Sequence, residues 1–147
     1  MDKTHWSEVD DYLSSLFVGD DAALSGALER SAAAGLPAIN VSPPQGKLLH
    51  LLARLTGARR ILEIGTLGGY STIWLARALS ADGKVITLEY EPKHAEVARG
   101  NFEAAGLSEK IELRLGRAIE TLPQLDREGA GPFDLAFIDA DKPSTPD

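Results

Sequence analysis

Ile61-Leu62-Glu63-Ile64-Gly65-Thr66-Leu67-Gly68-Gly69-Tyr70-Ser71 runs from a short apolar stretch through three glycines into a helix-forming segment. The apolar residues read as a buried strand, and the glycines permit the tight turn that follows it. A helix is then expected from about Tyr70 to Leu79. The same order repeats downstream. Val85-Ile86-Thr87-Leu88 reads as a second strand, and Pro92 opens a helix whose Ala95, Ala98, Phe102 and Ala105 share one face before Gly106 ends it. A third strand is expected over 111–115, a short helix over 118–122 and a fourth strand over 133–138. Strands alternating with helices imply parallel βαβ units, and right-handed crossovers put helices on both faces of the sheet. The fold class is α/β: a doubly wound, Rossmann-like, mostly parallel sheet that ends after its fourth strand.

Upstream of this sheet the chain reads as helix. Trp6, Val9, Leu13 and Leu16 recur at steps of three and four, the pattern of an amphipathic helix. Gly19 ends that pattern, and Asp20 or Asp21 can cap a second helix running to Gly35-Leu36-Pro37. Ser42-Pro43-Pro44-Gln45 has the form of a capping box with proline at the first helical position. Leu48, Leu49, Leu51, Leu52 and Leu55 are expected to be the buried face of this third helix, with Gly57 as its left-handed stop. The chain thus divides into a helical segment, 1–57, packed on a sheet-bearing part, 58–147, within one domain.

The 147 residues suit one domain. No apolar run is long enough for a membrane helix, and the first residues lack a signal-peptide pattern. Absence of cysteine removes disulfides and thiolate chemistry and favours a cytoplasmic protein. A formal net charge of −7, without a dense Lys/Arg cluster, argues against nucleic acid as a partner.

Ligands of open parallel sheets bind beyond the carboxyl ends of the strands. Gly65 to Ser71 lies there, where glycines allow close approach and a helix N-terminus offers free N–H groups. A plain strand-to-helix turn is the competing reading. Glu89 directly follows the second strand, where a carboxylate can accept hydrogen bonds from both ribose hydroxyls. Together the two features indicate a nucleoside-containing cofactor. The spacing Gly65-x-x-Gly68-Gly69 does not fit the dinucleotide fingerprint. An acid at Glu63 would repel a pyrophosphate but suits the ammonium and sulfonium charges of S-adenosylmethionine. Its alternative role is that of a partner for Arg59 or Arg60. Ala118 falls beyond the third strand, where an adenine ring would rest, or simply starts a helix. Phe137-Ile138-Asp139-Ala140-Asp141-Lys142 brings charge to the same sheet edge. Asp139 could be an oxygen ligand for Mg²⁺ and Lys142 could help deprotonate a hydroxyl, unless the segment is a solvated turn.

These segments, Leu62 to Ser71 with Glu89 and Phe137 to Lys142, resemble the cation-dependent S-adenosylmethionine O-methyltransferases of the catechol and caffeoyl-CoA type. The helical N-terminus and the helix over 42–55 extend the resemblance to nearly the whole chain. It implies that Val41, Glu63, Gly65, Thr66 and Ser71 surround the methionine portion of S-adenosylmethionine. It further implies Glu89 at the ribose, Tyr90 and Ala118 at the adenine, and Asp141 at the amino end. Asp139 would bind a divalent cation, Mg²⁺ by expectation, and Lys142 would stand by the reacting oxygen of a small phenolic acceptor. The family's further strands, one with an Asp-Asn pair completing the metal site, have no counterpart in these residues. The open edge of the fourth strand and the apolar N-terminal stripe lead to an expectation of a homodimer.

Overall fold

A computed structural model describes residues 3–140, so the expected site residues Asp141 and Lys142 lie outside the described residues. Three helices, α1 (Lys3–Phe17), α2 (Ala22–Ala33) and α3 (Pro43–Leu55), precede the sheet. Then follow β1 (Arg60–Ile64), α4 (Tyr70–Ala78), β2 (Lys84–Glu89), α5 (Pro92–Ala104), β3 (Ile111–Leu115), α6 (Ala118–Arg127) and β4 (Leu135–Ile138). All strand pairs are parallel, in the order β3-β2-β1-β4. The chain moves outward from β1 to β3 and then returns to the other side of β1. The reversal puts a topological switch point between β1 and β4, the place where such sheets bind ligands.

Strand alternation divides the core into two layers. Ile61, Val85 and Ile111 point toward α2, α3, α4 and α5, joining Leu24, Ala53, Ile73, Leu75 and Phe102. Leu62, Ile86 and Leu88 point the other way, against Leu125 of α6. The doubly wound expectation therefore holds, with helices on both faces. No helix among the described residues is long and apolar enough to cross a membrane.

Three local expectations need correction. Of the α3 leucines expected to be buried, only Leu49 packs against the core; Leu48, Leu51, Leu52 and Leu55 are exposed. The helix presents Gly46 and Ala53 inward instead. Trp74 of α4 supplies the bulk at this contact, since a Cβ on Gly46 would lie 2.4 Å from its ring. Small residues on α3 admit the ring, and the leucines are left on the far side. The α1 stripe, expected to be free to seek a partner, is indeed outward, with Trp6, Val9 and Leu16 exposed. The short helix expected over 118–122 continues to Arg127 through Pro123, which removes one N–H but leaves the following turn intact. The fourth strand begins at Leu135, two residues later than expected, because Phe133 packs into the α6 layer and Asp134 N–H closes on Arg60 C=O at 2.8 Å.

The other helix ends follow their signals. Asp21 caps α2, accepting from the N–H groups of Ala23 (3.1 Å) and Leu24 (3.0 Å). Its carboxylate also pairs with Arg77 of α4 at 2.6 Å, tying the helical segment to the sheet layer. At α3 half of the capping box forms: Gln45 Oε1 accepts from Ser42 N–H at 2.8 Å, whereas the buried Ser42 Oγ has no partner among the described residues.

Candidate functional site

The site is built where β1, β2 and β4 end. Gly65 leaves β1 with φ +97°, and its N–H donates to Leu88 C=O at 2.9 Å. A Cβ here would sit 2.1 Å from the Asp139 carbonyl oxygen, so no other residue fits. Asp139 N–H donates to Ile64 C=O at 2.8 Å, which fixes the end of β4 beside the glycine turn. The expected Gly65 and Asp139 are thus brought together at the switch point, backbone against backbone.

Glu89 is buried and anchors the loop between β1 and α4. Its Oε2 accepts from the N–H groups of Thr66 (3.1 Å) and Leu67 (2.7 Å), and its Oε1 from Tyr90 (2.8 Å) and Glu91 (2.9 Å). These four bonds occupy about as many acceptor positions as a carboxylate offers. A ribose hydroxyl at Glu89 would therefore share or displace a backbone N–H. Leu67, held by this carboxylate, takes the left-handed backbone (φ +51°) that non-glycine residues seldom adopt.

Glu63 lies deeper, with no exposed surface. It accepts hydrogen bonds from Ser71 Oγ (2.6 Å), Thr72 Oγ1 and Thr87 Oγ1 (2.6 Å). Burial pushes its carboxyl up to about 6; the three hydroxyls pull the other way, and the charge of Asp139 adds to the rise. Neither arginine of the alternative reading reaches it. Arg59 pairs with Asp82, and Arg60 donates to the carbonyls of Ala130 and Gly131. Thr66 joins this cluster through a 2.6 Å contact between its hydroxyl and that of Thr87.

Val41 borders a shallow cleft of about 390 Å³ with Ile39, Asn40, Gln45, Leu48, Leu49, Phe137 and Asp139. Its walls mix aliphatic residues with Phe137 and the amides of Asn40 and Gln45, and Asp139 joins it to the switch point. Tyr90 is exposed directly after β2, and Ala118 begins α6, half-buried against the Leu62–Leu88 layer. Among the described residues no group of three His, Cys, Asp or Glu side chains is placed to hold a metal ion.

Some supporting residues escaped the sequence reading. Thr72 and Thr87 complete the Glu63 cluster, and Thr87 had a signal, a polar residue inside an apolar strand. Asn101 is fully buried and donates to Gly68 C=O at 2.8 Å, while its own Oδ1 accepts from Arg30 Nε at 2.6 Å. Its signal was an asparagine between Ala98 and Phe102 on a face otherwise apolar.

A parallel sheet with a glycine turn, an anchored acid after β2 and a second acid at the switch point defines a Rossmann-like nucleoside-cofactor domain. A family model described as O-methyltransferase matches residues 15–147, and the chain belongs to that family. A catechol O-methyltransferase of Niastella koreensis is 57% identical over 143 residues, covering 97% of this chain and 65% of that protein. A catechol O-methyltransferase of Mycobacterium tuberculosis is 59% identical, over 92% of this chain and 60% of that one. The O-methyltransferase of Bacillus cereus, solved in complex with SAH, superposes with a TM-score of 0.92 at 54% identity, over 95% of this chain and 63% of its own. TomG of Streptomyces achromogenes, involved in tomaymycin synthesis and solved with SAM, gives 0.90 at 55%, over 97% and 64%. The chain therefore spans less than two thirds of the length of these relatives.

Proposed function

We propose that the chain is the cofactor-binding portion of an S-adenosylmethionine-dependent O-methyltransferase whose acceptor is a small phenol or catechol. The observation that carries this reading is the acidic character of the strand ends. Glu63, Glu89 and Asp139 converge on a glycine turn, a setting that suits a cationic cofactor and opposes a pyrophosphate. The named ligands of the solved relatives, SAH and SAM, support the same cofactor.

When bound, S-adenosylmethionine supplies a methyl group on a positively charged sulfur, open to an oxygen nucleophile. In this reading Glu89 would orient the ribose, Tyr90 and Ala118 would flank the adenine, Val41, Glu63, Gly65, Thr66 and Ser71 would surround the methionine portion, and Asp141 would stand at the cofactor's amino end. The cleft beside Asp139 would seat the acceptor ring and align its hydroxyl. Lys142 would hold or accept the hydroxyl's proton. Asp139 offers one oxygen donor to a divalent cation, but the described residues provide no complete ligand set, so no step is assigned to a metal. A second reading is cofactor binding without turnover.

Two measurements test the proposal. Calorimetric titration should show S-adenosylhomocysteine binding, weakened by ~1.5–3 kcal/mol in Glu89→Ala, the range for losing charged hydrogen bonds. Thermal melting of the variant checks that the loop anchored by Glu89 still folds. Transfer of labelled methyl to a catechol by this chain would establish the enzyme reading, and binding without transfer the second. Unchanged affinity in Glu89→Ala would remove Glu89 from the site.

A further inference from the structure

His94 stands in the first turn of α5, beside the acid that closes β2. Its Nδ1 lies 3.7 Å from Glu89 Oε1, beyond hydrogen-bond range, and among the described residues neither ring nitrogen has a hydrogen-bond partner. The His94 side chain is 23% exposed and that of Glu89 8%, so the two meet at the rim of the site. An ion pair is a poor account of this placement. The positive end of α5 disfavours a cation in its first turn, and four backbone N–H groups already satisfy the Glu89 carboxylate. A ribose hydroxyl brings one proton and two lone pairs. Glu89 can take the proton only in competition with those N–H groups, and a carboxylate has no donor for the lone pairs. His94 has one. A separation of 3.7 Å suits two groups that hold a common third atom, since an oxygen about 2.8 Å from each would bridge them. The Glu89 charge favours the tautomer with its N–H on Nδ1, turned toward the same spot.

We propose that His94 is a further ribose-binding residue: its Nδ1–H donates to the hydroxyl oxygen whose proton Glu89 accepts. This rests on the S-adenosylmethionine reading above. The pair reads one hydroxyl from both sides, and a nucleoside lacking that hydroxyl leaves His94 without a partner.

The probes are S-adenosylhomocysteine and its 2′-deoxy and 3′-deoxy analogues, titrated calorimetrically into the 147-residue chain. His94→Leu keeps much of the ring's bulk and removes the donor, whereas His94→Asn returns an amide N–H near the place of Nδ1. The leucine variant should bind S-adenosylhomocysteine roughly three- to tenfold more weakly, the range for one neutral hydrogen bond. It should hold one of the two deoxy analogues within about twofold, because that ligand has no such bond to lose. His94→Asn should bind S-adenosylhomocysteine within about twofold of the parent chain and keep its preference over that analogue. Unchanged affinity for S-adenosylhomocysteine in His94→Leu, or equal losses for all three ligands, would overturn the proposal, since a merely structural His94 affects every ligand alike. Should the leucine variant melt early, the asparagine variant decides, and loss of its preference for S-adenosylhomocysteine over both analogues would overturn the proposal. Failure of the unaltered chain to bind any of the three would overturn the cofactor reading itself, a result distinct from binding without discrimination.

Discussion

Asn101 Nδ2 donates to the carbonyl of Gly68 at 2.8 Å from a side chain with no exposed surface, joining α5 to the glycine turn that follows β1. The same side chain reaches Ala27 C=O of α2 at 3.3 Å and accepts from Arg30. One amide thus holds three parts of the fold in register.

Replacing Asn101 by alanine should strand the buried Gly68 carbonyl. The expected loss is about 2–3 kcal/mol of stability, combining the missing bond with an unsatisfied acceptor. Urea denaturation of the variant beside the parent chain measures it. A loss below about 0.5 kcal/mol, the usual range of surface substitutions, would show that water replaces the amide.

Stability should depend on pH through Glu63. Its folded-state carboxyl is raised from 4.5 to about 6, so the folded chain binds this proton more tightly than the unfolded one. The contribution is fully present below 4.5 and is lost as pH rises through about 6. The swing is on the order of 2 kcal/mol. In Glu63→Gln, which cannot ionise, that part of the pH dependence should vanish. Denaturation midpoints collected across this window for both proteins would be parallel if the inference is wrong.

The outward leucines of α3 and the exposed Trp6, Tyr12 and Leu16 of α1 lie on two helices packed against each other, which gathers many exposed apolar side chains in one region. We expect self-association through it. Sedimentation of the chain should show a concentration-dependent dimer, and the pair Leu52→Lys with Leu55→Lys should shift it to monomer. A monomer at all concentrations would refute this.

The strand-and-helix order was legible because each element carries its own local signal. β1 and β2 have apolar runs, β3 alternates apolar and charged residues before Gly116, α5 carries an apolar face between Pro92 and Gly106, and the glycine turn with Glu89 marks the sheet edge on spacing alone. The face of α3 was not legible. Hydrophobic periodicity says that a helix has an apolar side, but Trp74 reaches across from α4 and takes the space that the α3 leucines would need. The inner packing is therefore done by Gly46 and Ala53, which carry little hydrophobic signal. Glu63 was found as an acid near the turn, yet its hydroxyl shell could not be read, because Thr87 is 24 residues away and meets it only through the pairing of β1 with β2.

The contact between Gly65 and the Asp139 carbonyl works as a fixed gauge. With no room for a Cβ between them, the turn after β1 and the end of β4 shift as one piece. The cleft walls at Ile39 and Leu48 belong to other segments and touch neither backbone hydrogen bond. Under the proposed function, those walls could be recut for a differently shaped acceptor while the spacing between the glycine turn and Asp139 stays as it is. Variation in what is accommodated is thereby uncoupled from the geometry that must not vary.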